Sequence, residues 1–196
     1  MQIASAYGKN AAARIEFRDG KVWLTIAPAA QGNNGRKYEW SQKKNFNLDR
    51  SELHAMKVVM DTALRRDVAS AQVLCNSLFG KNRNNCLFTH VTNQGQVLGG
   101  LSLHTDDKGG IYAPFSFRIS YYSKESAGKE DSVQVSMTRI NAMMIIRDIE
   151  VFNTEYVQSM VRLEMADTQA KERQPGSPRG EENNERGFDQ FPGDLP

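Results

Sequence analysis

The hydrophobic positions of this chain form two runs of alternation, each followed by a stretch with helical spacing. Residues 12–27 alternate with period two around Asp19-Gly20, a dipeptide suited to the two-residue type I′ turn of a hairpin. With that turn, Ile15 lies opposite Leu24, Phe17 opposite Val22 and Ala13 opposite Ile26, an apolar face for the core. The other face carries Arg14, Glu16, Arg18, Lys21, Trp23 and Thr25, so an indole stands among cations on the wet side of a sheet. Beyond a Gly/Asn loop at 31–35, a third strand is expected from about Arg36 to Asn47. Tyr38, Trp40, Gln42, Lys44 and Phe46 would share one of its faces, and Lys37, Glu39, Ser41, Lys43 and Asn45 the other. Tyr38, Trp40 and Phe46 fit either core or binding surface. Asp49 then offers an N-cap and Glu52 completes a capping box, with Leu53, Met56, Met60, Ala63 and Leu64 at helical spacing behind them. Residues 68–79 read as a second helical piece and 81–85 as a polar, basic loop.

The alternation then restarts. Residues 86–91 and 96–103 read as strands around a Gln94-Gly95 turn, which sets His90 opposite Gly99 and His104 opposite residue 85. Residues 112–122 form a long strand, with Ile111, Phe115, Phe117, Ile119 and Tyr121 on one face and Tyr112, Arg118 and Tyr122 on the other. Residues 132–137 alternate again, with Val133, Val135 and Met137 inward. A long helix is expected from Thr138. Its Ala142–Ile146 segment is apolar all round, which predicts burial on both sides, one against its own sheet and one against a second subunit. The fold class is α+β: two antiparallel sheet blocks, each closed by a helix.

Composition adds the tail. From Gln169 onward large apolar side chains are scarce and proline and glycine frequent, so 169–196 is expected to be a disordered acidic tail behind a 1–168 domain. From Gly180, five acids face only Arg186, a net of −4, which leaves +6 on the rest of a chain whose total is +2. A near-neutral sum therefore conceals a basic body. Two cysteines exclude a disulfide-dense scaffold, and no apolar run approaches the ~18 residues of a membrane span. The N-terminal residues have neither leader nor transit character, so the expectation is a cytoplasmic protein.

Three stretches resemble the Whirly family of single-stranded-DNA-binding proteins, part of the wider PC4-like group. Residues 20–30, GKVWLTIAPAA, are similar to that family's second strand and its Ala-Pro-Ala exit. Residues 36–48, RKYEWSQKKNFNL, match its Tyr-acid-Trp, Lys, Phe-x-Leu pattern, and residues 7–12, YGKNAA, look like a degraded Lys-Gly-Lys-Ala-Ala-Leu motif in which Tyr7 replaces the first lysine and Asn10 intrudes. The resemblance implies a doubled ββββα unit, tetramers (or dimers) assembled through helices, and single strands of DNA running along the sheets with little sequence preference. Plant members carry transit peptides, so a bacterial, plasmid or phage source is expected here. The end of the tail, with Phe188, Asp189, Phe191, Asp194 and Leu195, is similar in kind to the acidic tips of bacterial and phage single-stranded-DNA-binding proteins. That likeness implies docking on replication or recombination proteins.

The chemistry suits such a ligand. Unpaired DNA offers phosphates to cations and base faces to aromatic rings. Arg14, Arg18, Lys21 and Trp23 supply both; Lys9, Lys37, Lys43, Lys44 and Arg118 extend the cations, and Tyr112 and Tyr122 the rings. The function expected is binding and protecting or organising single-stranded DNA in replication, recombination or DNA transfer. An RNA-binding or annealing protein and a PC4-like transcription regulator are the alternatives, since nothing in the pattern reads a 2′-hydroxyl. His54, His90 and His104 are not spaced to share a metal, Cys75 and Cys86 form no CxxC, and Asp106-Asp107 reads as a solvated turn. No GxGxxG, Walker lysine or GxSxG occurs, so neither catalysis nor a cofactor is expected.

Overall fold

The computed structural model describes residues 1–30, 38–79, 88–104, 110–123 and 130–173. The chain forms two compact units, Met1–Glu155 and Tyr156–Pro196. The first unit holds two four-stranded antiparallel sheets. Strands β1 (Gln2–Tyr7), β2 (Ala11–Arg18), β3 (Lys21–Pro28) and β4 (Lys44–Leu48) lie in sequence order in one. Strands β5 (Phe88–Thr92), β6 (Gly95–Leu103), β7 (Tyr112–Ser123) and β8 (Glu130–Thr138) do so in the other. Helices α1 (Arg50–Arg65) and α2 (Val68–Phe79) follow the first sheet, and α3 (Arg139–Arg173) follows the second.

The β2–β3 hairpin has the predicted register, Ile15 opposite Leu24 and Phe17 opposite Val22. Asp19 and Gly20 both take positive φ (52° and 72°), the demand of the type I′ turn that this dipeptide meets. The capping box of α1 is complete: the Asp49 carboxylate accepts from the Glu52 N–H at 2.7 Å, and Glu52 accepts from the Asp49 N–H at 2.8 Å. Phe46, Phe115, Phe117, Ile15, Leu24, Leu53, Met56 and Met60 are fully buried between sheets and helices. Phe46 packs over Gly99, where a Cβ would stand 2.2 Å from the ring. Tyr121 closes the edge of β4: its hydroxyl donates to the Asn45 C=O at 2.7 Å and accepts from the Asn45 N–H at 3.2 Å.

One strand was missed and four expectations need correction. Strand β1 was not legible, because its inward side chains are only Ala4 and Ala6. Among the described residues the third expected strand starts only at Lys44. Trp40–Gln42 is a turn of 3-10 helix and only Lys44–Leu48 pairs with β3, because the Tyr38 hydroxyl is drawn to the Gly8 C=O in the β1–β2 turn and Trp40 to Arg14 of β2. The second hairpin turns at Asn93-Gln94, so His90 faces Val97 instead of Gly99. That two-residue shift leaves the faces unchanged, and Gly95 (φ 147°) supplies a conformation other residues avoid. Ile111 lies outside β7 and is exposed, since a bulge between Tyr112 and Ser116 turns the strand's start. Helix α3 passes the expected tail boundary at Gln169, carried to Arg173 by the helix formers Gln169, Ala170, Lys171 and Glu172. Loop 31–35, loop 81–85, Asp106-Asp107 and the rest of the tail lie outside the described residues.

Within the first unit, α3 buries Ala142, Ile145, Ile146, Ile149 and Phe152, while Ile140 (71% exposed), Met143 (64%) and Met144 (59%) are uncovered. The apolar circumference therefore has one covered and one open side. In the second unit the same helix exposes Val157, Met160, Val161, Leu163 and Met165. No helix among the described residues is long and apolar enough to cross a membrane.

Candidate nucleic-acid interface

Alternation along β2 and β3 sends Arg14, Glu16 and Arg18 to the same outer face as Lys21, Trp23 and Thr25. Glu16 lies directly opposite Trp23 on one side, and Asn47 of β4 on the other. Two guanidinium–indole pairs organise this face. The Arg18 Cζ stands 4.9 Å from the Trp23 ring centroid, and the Arg14 Cζ 4.0 Å from that of Trp40. Both distances are within cation–π range. The Thr25 hydroxyl donates to the Asn45 Oδ1 at 2.9 Å, fixing that amide between β3 and β4. Arg14 Nε, Trp23 Nε1 and Asn47 Oδ1 are buried and have no hydrogen-bond partner among the described residues. Hydrogen-bonding capacity is thus left over around the central indole. Arg18, Lys21 and Lys43 are exposed, so their charge reaches solvent.

The outer face of the second sheet is different. Ser116, Arg118, Ser120 and Tyr122 line β7, and Ser132, Gln134 and Ser136 line β8. Arg118 forms an ion pair with Glu130, which also accepts from the Ser120 hydroxyl at 2.7 Å. Burial raises the Glu130 carboxyl, but hydrogen bonds from Ser120, Arg118 and Tyr122, with the Arg118 charge, outweigh it and hold the group below its ordinary value. The arginine is neutralised within its own sheet.

The expected binding residues therefore divide. Arg14, Arg18, Lys21 and Trp23 come together on the first sheet, with Lys43 just beyond the 3-10 turn. Arg118 and Tyr122 belong to the second sheet. Lys9 and Tyr112 line a separate cleft between the β1–β2 turn and the ends of β7 and β8. Lys44 points inward opposite Ile26, where it pairs with Asp131 and sits 5.1 Å from the Tyr121 ring centroid. Lys37, Phe188, Asp189, Phe191, Asp194 and Leu195 lie outside the described residues. Sequence reasoning missed Trp40 as the partner of Arg14, a contact that exists only once the 3-10 turn folds back over β2. It also left Tyr7 without a role.

His90 and Cys75 are engaged in packing. His90 stacks on Phe46 at 4.3 Å between centroids, and its Nε2 lies 2.8 Å from Glu52. Cys75 is buried, which pushes its thiol up to about 11. Among the described residues no cluster of His, Cys, Asp and Glu could hold a metal ion.

No protein-family model and no curated protein sequence matches the chain. Solved structures do. The plant transcriptional regulator PBF-2 superposes with a TM-score of 0.53 at 18% identity, covering 84% of this chain and 94% of that one. WHY1 from Arabidopsis thaliana gives 0.53 at 18% identity, covering 90% and 96%, and WHY3 from the same plant 0.50 at 19%, covering 77% and 85%. At these identities the likeness establishes the architecture: two four-stranded antiparallel sheets, each followed by helix, in a Whirly-like fold.

Proposed function

We propose that the protein binds single-stranded DNA across the outer face of its first sheet, with little sequence preference. One observation carries this reading: Trp23 stands beside Arg18 on the outer face of the first sheet, which also carries Arg14 and Lys21, and the Trp40 indole of the 3-10 turn stands beside Arg14. A base stacked on an aromatic side chain is stabilised by roughly 1–3 kcal/mol, and cations beside the ring hold the phosphates. The second sheet, with Arg118 engaged by Glu130, plays the smaller electrostatic part. Titration of oligo(dT) of several lengths at two salt concentrations tests the reading. Wild type should bind with steep salt dependence, and Trp23→Ala should lose about tenfold or more in affinity. A Trp23→Ala protein that binds like wild type would remove the first sheet as the interface.

Self-association through helices accompanies this function. The uncovered Ile140, Met143 and Met144 lie beside Leu64 and Arg65 of α1, an apolar surface suited to a second copy, with the tetramer as the assembly the resemblance implies. Roles in replication, recombination or DNA transfer, and docking of partner proteins by the acidic tail, belong to the same proposal. The fold shared with a plant transcriptional regulator favours one further reading, regulation of transcription by the same strand binding. RNA remains a competing ligand for a stacking surface, and competition between DNA and RNA strands of equal length decides between them.

A further inference from the structure

A second surface of the first unit lies where the β1–β2 turn meets β7 and β8. Gly8 approaches β8 so closely that a Cβ on it would stand 2.8 Å from the Ser136 carbonyl oxygen and 3.1 Å from Val135 Cγ2. The Gly8 N–H donates to the Ala11 C=O at 2.9 Å, and its own C=O accepts from the Tyr38 hydroxyl at 2.8 Å. The turn is pinned from three directions. It walls a cavity of about 550 Å³, a size that accommodates a small organic ligand. Tyr7, Lys9, Asn10, His104, Tyr112 and Gln134 supply its aromatic and polar lining. No carboxylate lines it among the described residues, and it has one ammonium. Tyr7 is 52% exposed and Tyr112 60%. Two large rings left this open on an acid-free cleft are ready to stack. Tyr7 is also steadied from behind by the Tyr38 ring, 5.9 Å away between centroids.

We infer that this cleft takes one unstacked nucleotide of the bound strand, its base against the Tyr7 and Tyr112 rings and its phosphate at Lys9. A nucleobase matches each part of the lining. Its flat face suits an exposed phenol ring, and its edge suits amides such as those of Asn10 and Gln134. Gln134 already donates to the Ser116 hydroxyl through Nε2, which fixes the amide and leaves its oxygen as an acceptor. The mixed donors and acceptors of Asn10 and Gln134 can pair with any base, so the cleft anchors the strand without reading its sequence. This inference rests on the single-strand reading above, and adds a second contact point at the opposite end of the hairpin from the Asp19-Gly20 turn.

The test uses the full-length protein and oligo(dT) carrying one 5-iodouracil, with affinity and photo-cross-linking measured together. Tyr112→Ala and Tyr7→Ala should each weaken binding about tenfold, Tyr112→Phe should stay within about twofold of wild type, and cross-links should map to peptides containing Tyr7 or Tyr112. Both rings are half or more exposed, so these substitutions leave the core untouched. If Trp23→Ala weakens binding while both tyrosine variants match wild type and no cross-link maps to the cleft, the inference is overturned and the sheet reading stands. If the tyrosine variants weaken binding and Trp23→Ala does not, the cleft stands and the sheet reading falls. A wild type that binds no strand removes both. Thymidine monophosphate that saturates the cleft and is not displaced by oligo(dT) would assign it to free nucleotides and overturn the inference.

Discussion

Replacing Gly99 by alanine tests how the two sheets are held together. An added Cβ would stand 2.2, 2.3 and 2.7 Å from three ring carbons of Phe46, where carbon–carbon contact normally begins at about 3.5 Å. The ring must retreat by more than about 1 Å, and it has nowhere to go. Phe46 is 2% exposed, His90 is stacked on it, and Leu24 is its cross-strand neighbour. Overpacking a core costs typically 1–3 kcal/mol. With the ring clamped on its other face, Gly99→Ala should fall at the upper end, about 3 kcal/mol, or a Tm lower by roughly 6–12 °C at this chain size. Urea unfolding followed by circular dichroism measures it, with the midpoint moving and the m-value unchanged. Phe46→Leu in the Gly99→Ala background should recover about 1–2 kcal/mol relative to the sum of the single effects, since the two residues are in contact. Strand affinity of the folded fraction should change by less than about threefold, because the arginines and indoles face the other way. A Gly99→Ala protein within about 0.5 kcal/mol of wild type would refute the packing argument.

Other outcomes follow from the same geometry. Glu16→Gln removes the one carboxylate opposite Trp23 and should raise strand affinity about two- to fivefold at low salt, an effect that fades as salt is added. Glu130 is held below its ordinary value, so it contributes stability that is fully present above about pH 4.5 and is lost as the pH falls through its lower native value. Glu130→Gln should therefore lower stability near neutrality and remove that part of the acid sensitivity, as read from urea midpoints across the acid limb. The buried Cys75 thiol, pushed up to about 11, should resist alkylation in the native protein at pH 8 and react within minutes once urea unfolds it. Met143→Glu with Met144→Glu should reduce the mass measured by light scattering to that of the monomer without lowering α-helical content; an unchanged mass would exclude that helix face from assembly.

The parts of the fold visible in the sequence were those fixed by local chemistry. Asp19-Gly20 dictates its own turn, and the register of β2 and β3 follows from it. Asp49 and Glu52 start α1 by satisfying backbone groups within one turn of chain. The parts that were not visible depend on distant partners. Trp40 fits a strand by alternation, yet Arg14 draws it over β2 and interrupts that strand. Lys44 reads as one more cation, yet Asp131 and Tyr121, far along the chain, take it inward. Arg118 reads the same way until Glu130 is seen beside it. The candidate site was legible as a composition of face, because period-two alternation places Arg14, Arg18, Lys21 and Trp23 together without tertiary knowledge. Its limits were not, since which cations remain unpaired is settled only by packing.

The hydroxyl of Tyr121 occupies both the N–H and the C=O of Asn45 in the edge strand β4. An open edge is a template on which another chain can add a strand, and a row of such additions gives fibres of unlimited length. Here one phenol spends its donor and its acceptor on occupying that template at the second residue of a five-residue strand. Strand addition from another copy onto β4 would have to displace Tyr121 at Asn45. The proposed strand-binding function would gain from that veto: crowding along a strand could bring neighbours together without pairing them at Asn45.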